Sequence, residues 1–110
     1  MIHMLSRFDL KPGVEFEEFG WNYRNMVAQM QAKGLVEGSG RIGRREQDTP
    51  MDTDTADAPE FYVVMSFKDR DQLDGSYALL TDAAANRATS HPVVMQAVEN
   101  AVFTCWQDLE

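Results

Sequence analysis

The chain has 110 residues, which suits one domain, residues 1–110, and leaves no room for two. Hydrophobic residues make up 44% and charged residues 25%, so a core can form without metal, and the single cysteine, Cys105, excludes an intrachain disulfide. The formal net charge of −8 repels phosphate backbones and argues against nucleic acid as a partner.

The first residues, Met1-Ile2-His3-Met4-Leu5-Ser6-Arg7, lack the basic start and long apolar stretch of a secretory leader. No apolar run approaches the ~18 residues that span a membrane. A cytoplasmic location without membrane attachment is therefore the expectation.

Period-two alternation predicts a strand over Ile2 to Leu10. Ile2, Met4, Phe8 and Leu10 form its apolar row, with Ser6 as the exception, while His3, Leu5, Arg7 and Asp9 form the other. Lys11-Pro12-Gly13 breaks the strand. Glu15, Glu17 and Glu18 then suit a helix N-terminus. Phe16, Phe19, Tyr23, Met26, Val27 and Met30 recur every three or four residues, the mark of an amphipathic helix. Gly34 supplies a left-handed stop, with Leu35 placed to pack back on the last turn. Val36 to Glu46 mixes glycines with Arg41, Arg44 and Arg45, which predicts a charge-protected edge strand. Gln47 to Pro59 holds prolines and aspartates without hydrophobic period and reads as a solvated loop.

Phe61 to Phe67 is apolar or aromatic at nearly every position and predicts a central strand covered on both faces. Asp69 reads as an N-cap, with Gln72 completing a capping box. Leu73, Tyr77 and Leu80 form the expected buried stripe of the second helix. Gly75 within it costs about 1 kcal/mol relative to alanine, which points to a close packing contact there. Ser90-His91-Pro92 opens a short third helix, and Val102 to Trp106 is the last strand. The resulting βαββαβ order is the ferredoxin-like split arrangement, an α+β fold with an antiparallel sheet and its helices on one face. The other face would stay bare and apolar, around Leu5, Val64 and Phe103 or their neighbours, so a second copy of the chain is its expected cover.

The strand Ile2-His3-Met4-Leu5-Ser6-Arg7-Phe8 and the turn Leu10-Lys11-Pro12-Gly13 are the first of several weak motifs. Met65-Ser66-Phe67 followed by Asp69-Arg70-Asp71-Gln72-Leu73, Tyr77, His91-Pro92 and the closing Gln107-Asp108-Leu109-Glu110 complete the set. Together they make the chain resemble the dimeric α+β barrel superfamily, in particular the stress-responsive barrel proteins and their uncharacterised bacterial relatives. That resemblance implies a homodimeric barrel. It leaves the reaction open, because the superfamily includes cofactor-free monooxygenases, haem-using enzymes, isomerases and members with no known activity. A second histidine often follows His-Pro in that group; Val94 stands there in this chain, which weakens a histidine-pair or metal role.

The candidate site residues follow from strand phase. His3 and Arg7 on the helix-free face could orient an acidic ligand and move a proton, or Arg7 could pair with an acid such as Asp9. In phase with them, Tyr62 and Ser66 on the third predicted strand, and Phe103 and Cys105 on the last, would line the same interior. His91 could be a general base or a haem ligand, or could cap its helix. Cys105 could equally be a small buried hydrophobe, and Tyr77 core. Asp52, Asp54 and Asp57 lack the central glycine and terminal glutamate of a calcium loop, so no metal is expected. Seven methionines indicate an adaptable core and secondarily a pliable apolar pocket. The function these residues imply is binding of a small apolar or aromatic metabolite in the interior of the dimeric barrel, with proton transfer or cofactor-free oxygenation as the chemistry if there is any, and no cofactor. The alternatives are a non-catalytic dimer with a filled interior and a haem-binding barrel. Whether the chain is an enzyme stays open from sequence.

Overall fold

The computed structural model describes all 110 residues. In chain order the elements are β1 (Ile2–Leu10), α1 (Phe16–Ala32), β2 (Gly38–Ser39), β3 (Gly43–Arg44), β4 (Phe61–Phe67), α2 (Arg70–Thr81), α3 (Ala83–Arg87), α4 (His91–Ala97) and β5 (Val98–Gln107). The sheet order is β2-β4-β1-β5, with β3 also paired to β4, and every pairing is antiparallel. This is the ferredoxin-like α+β arrangement, with β1 central between β4 and β5.

Alternation decides the two faces. Phe61, Val63, Met65 and Phe67 of β4 are buried, and Tyr62, Val64 and Ser66 between them are half-buried. The buried row meets Phe8 of β1 and the α1 stripe of Phe19, Tyr23, Met26, Val27 and Met30. Phe8 packs 5.3 Å from Phe19 and 5.8 Å from Phe61, centroid to centroid, a separation typical of favourable ring pairs. Helix α1 ends as its sequence requires: Gly34 sits at φ +71 and Leu35 N–H donates to the Met30 carbonyl at 2.9 Å.

The predicted edge strand is present as two fragments. β2 pairs with the Ser66 end of β4 and β3 with the Tyr62 end. Two of the three arginines of this edge pair with acids of the same chain: Arg44 lies 3.0 Å from Glu60, and Arg45 holds Asp52 through two hydrogen bonds of 2.7 Å. Much of the loop from Gln47 to Pro59 is exposed, with Met51 at 89%.

Three features depart from the sequence reading. The segment after α2 contains an extra helix, α3, started by Asp82 accepting from Ala85 N–H at 2.9 Å. The last strand begins at Val98 and is ten residues long. Its pairing with β1 shifts between Arg7 and Asp9, and nearby Asn100 stands at φ 55, as bulged strands allow. Tyr77 is 70% exposed, so the inner side of α2 is Leu73, Ser76 and Leu80. Only Ser76 of that helix is fully buried, its hydroxyl donating to the Leu35 carbonyl. Gly75 has the anticipated close neighbour: a Cβ there would lie 3.2 Å from Leu35 Cδ2.

Asp69 caps α2 by accepting from Gln72 N–H at 2.9 Å, while Gln72 Oε1 reaches back to Lys68 N–H and its Nε2 donates to the Gly34 carbonyl. This one residue pair therefore fastens α2 to the end of α1. Asp69→Ala should lower unfolding free energy by about 1 kcal/mol, read as a lower urea midpoint with unchanged slope.

Candidate functional site

Between the helices and the sheet lies an apolar cavity of about 460 Å³. Seventeen of its twenty-one lining residues are hydrophobic. Met4, Met26, Met30, Met65 and Met95, from a chain total of seven methionines, contribute to the wall. Flexible thioethers adapt to irregular shapes. The polar groups on the wall are the hydroxyls of Ser6, Tyr23, Ser76, Tyr77 and Thr81 and the imidazole of His91; no lysine, arginine, aspartate or glutamate lines it.

His91 is placed by an interlocking set of side chains. Gln29 of α1 accepts from Ser90 N–H at 2.7 Å and donates to the Ser90 hydroxyl at 3.2 Å, which docks the start of α4 on α1. His91 Nδ1 lies 2.7 Å from the Asn86 amide oxygen. An amide oxygen only accepts, so Nδ1 carries the proton and Nε2 keeps a free lone pair. The ring is half-buried, and desolvation holds its pKa below the ordinary 6.5. At neutral pH it is thus an uncharged base. Tyr23 faces the opposite constraint: burial pushes its phenol pKa up, outweighing the hydrogen bond at 2.7 Å with Ser39, so it stays neutral.

The predicted site residues do not converge. His3, Arg7, Tyr62 and Ser66 stand on the helix-free face, since His3 pairs with Ser66 and Arg7 with Tyr62 across β1 and β4. Phe103 and Cys105 turn the other way. Phe103 is opposite Ser6 and Cys105 opposite Met4, so both share the helix side, and Phe103 lines the cavity. The expected phase of β5 is off by one residue, which exchanges the two rows. Val102, Thr104 and Trp106 are the residues beside Arg7, Leu5 and His3. Cys105 is exposed, so the buried reading of its thiol does not hold in this chain.

Arg7 has an internal partner, though not Asp9. Its guanidinium donates to Asp54 of the acidic loop at 2.7 Å. Asp9 instead accepts from Glu60 N–H at 2.9 Å and from Asn100 at 3.0 Å beside the strand irregularity. His3 completes a chain that its sequence neighbours did not reveal: Nδ1 is hydrogen-bonded to the Ser66 hydroxyl at 2.8 Å, and Nε2 donates to Asp108 at 2.9 Å. The Asp108 carboxylate also forms a loose ion pair with the terminal amino group at 3.7 Å, and its backbone N–H donates to the Met1 carbonyl at 2.9 Å. The grouping joins the two chain ends across β1. Residues 3, 66 and 108 lie too far apart in sequence for any spacing rule to unite them.

A family model matches residues 1–109. The chain belongs to DUF6614, a family of unknown function. No curated protein matches the sequence. Among solved structures, a protein of Arabidopsis thaliana aligns with TM-score 0.73 at 11% identity, covering 100% of this chain and 97% of that one. A mutant of SnoaB, a cofactor-independent oxygenase from Streptomyces nogalater, aligns with TM-score 0.67 at 10% identity, covering 99% and 93%. A dimeric ferredoxin-like protein of unknown function from Jannaschia sp. CCS1 aligns with TM-score 0.66 at 9% identity, covering 97% and 98%. At these identities the likeness establishes the fold and leaves the chemistry to the residues of this chain. No helix of this DUF6614 member is long and apolar enough to cross a membrane.

The depressed His91 pKa gives a signed prediction. Above 6.5 the ring is neutral in both folded and unfolded chains and contributes no pH dependence. As pH falls from 6.5 through the lower folded value, only the unfolded chain takes up the proton, so stability is lost. An NMR titration should place the His91 midpoint below 6.5, and Asn86→Ala should change the proportion of its two neutral tautomers.

Proposed function

We propose that this protein binds a small, uncharged, largely apolar or aromatic molecule in the cavity between helices and sheet, with His91 as the group that accepts its proton. The observation that carries the reading is the pairing of an apolar wall free of charged side chains with one neutral, oriented imidazole. Burying a charged ligand there without a counter-ion would cost several kcal/mol. A neutral acid, such as a phenol or a carbon acid between two carbonyls, has the matching chemistry: it enters uncharged and loses a proton to Nε2, and the anion formed lies beside the resulting imidazolium. Loss of that proton would also open cofactor-free oxygenation, the activity named for the Streptomyces nogalater relative. This cavity lies on the helix side of the sheet, the face opposite the barrel interior in which the sequence reading placed the ligand, and it supports ligand binding there whether or not a barrel interior is filled. A haem reading has less support, because no lysine or arginine lines the cavity to meet the propionates.

We further propose that the protein works as a homodimer paired through its helix-free sheet face. Val102 and Trp106 are 42% and 44% exposed there, beside half-buried Leu5 and Val64, and bare apolar sheet of this kind favours a partner surface. The Jannaschia relative is described as dimeric. Sedimentation at micromolar concentration should give about twice the 12.5 kDa chain mass, and Trp106→Glu should shift it to the monomer.

The cavity is tested with the neutral fluorophore N-phenylnaphthylamine. Wild-type protein should bind it, and Ala101→Phe, which fills the wall, should weaken binding at least about tenfold. Proton transfer is tested separately by deuterium exchange at the methylene of benzoylacetone. The wild type should accelerate exchange over buffer, and His91→Gln should remove the acceleration while leaving fluorophore binding intact. Equal exchange rates in both proteins would show that His91 is not the base.

A further inference from the structure

A second concavity, of about 540 Å³, lies on the other side of α1, against the β2–β3 edge. Its apolar surface is Phe16, Val27 and Ile42; its polar surface includes Arg24, Arg41 and Gln31. No aspartate or glutamate lines it. That is unusual in a chain with 18 acidic and 10 basic residues. Four other arginines pair with acids, Arg7 with Asp54, Arg44 with Glu60, Arg45 with Asp52 and Arg70 with Asp74, and Arg87, in the short helix α3, is the one outside the groove that does not. Arg24 and Arg41 form no ion pair and no side-chain hydrogen bond, and both line this one groove.

The local sequence sets up the placement. Gly20, one turn before Arg24, lets the guanidinium lie back along the helix: a Cβ there would stand 3.0 Å from its Nη1. Arg41 leaves the short gap between β2 and β3, whose neighbours on β4 are already paired. Phe16 is 42% exposed, and its ring stacks 6.0 Å from Phe61, so it presents a fixed aromatic surface at the groove.

We infer that this groove is a binding site for a small anion carrying an apolar or aromatic body, a carboxylate or sulfonate held by Arg24 and Arg41 with its ring against Phe16 and Ile42. Guanidinium groups recognise planar oxyanions through paired, charge-assisted hydrogen bonds, and two of them line this groove with no acid beside them. The site is separate from the cavity beneath α1. The two differ in the sign of what they accept: the cavity has no charged wall, and the groove has only positive charge.

Two matched fluorophores separate the sites. Anilinonaphthalene sulfonate carries a negative charge, and N-phenylnaphthylamine is its neutral counterpart. The wild type should bind the sulfonate, with affinity falling as salt is raised. The double variant Arg24→Gln and Arg41→Gln should lose at least about tenfold in sulfonate affinity and keep its affinity for the neutral compound. Ala101→Phe should do the reverse. If sulfonate binding survives the double arginine change, or is lost only with Ala101→Phe, the groove is not an anion site, whatever the neutral fluorophore reports about the cavity.

Discussion

Everything in this protein hangs on the burial of one row of side chains down the middle of a sheet. Phe8 on β1 and Phe61, Val63, Met65 and Phe67 on β4 have to leave water, and α1 is the element that covers them. Burial of one large apolar side chain is worth roughly 1.5–3 kcal/mol, so this row sets where α1 lies and how the sheet is oriented. Its six buried positions, from Phe19 to Met30, show how completely α1 is committed to the task.

The second side of the same face is covered differently. Helix α2 buries only Ser76, whose hydroxyl is taken by the Leu35 carbonyl. Leu73 and Leu80 reach inward without closing the space, and Tyr77 stands at the rim. The cavity is thus a consequence of unequal helix cover: α1 packs tightly on the sheet, and α2 and α4 stand around what remains. His91 enters that space because Gln29 pins Ser90 and Asn86 holds the ring. An imidazole in such surroundings is neutral by desolvation and oriented by one hydrogen bond.

Polar side chains on the opposite face are matched with one another. Arg7 meets Asp54, and His3 bridges Ser66 and Asp108. Asp52 and Asp54, which invite a metal reading in sequence, answer arginines instead. No buried side-chain nitrogen or oxygen is left without a partner. Arg24 and Arg41 share one groove at the far edge with no acid in its lining, which is why that groove differs in character from the rest of an acidic surface.

The extra helix α3 was not legible in the sequence, whereas the βαββαβ frame, the apolar row of Met4 and Phe8 on β1, the stop at Gly34 and the close contact at Gly75 were. Each depends on local chemistry: period-two or helical periodicity, a left-handed glycine, the absence of a Cβ. The methionine content also hinted at a pliable pocket. The register of β5 was not legible, because Val102, Thr104 and Trp106 alternate with Ala101, Phe103 and Cys105, and both rows are apolar enough to face a core. Only pairing across β1, with Thr104 opposite Leu5, decides between them. The same holds for the site. His91 looks like a lone histidine before a proline until Asn86, Gln29 and the sheet surround it. Arg7 awaits an acid that sequence places at Asp9 and the fold supplies from Asp54. Local patterns follow from neighbours along the chain, whereas register, cavities and ion pairs depend on residues brought together from distant positions, which only the tertiary structure can do.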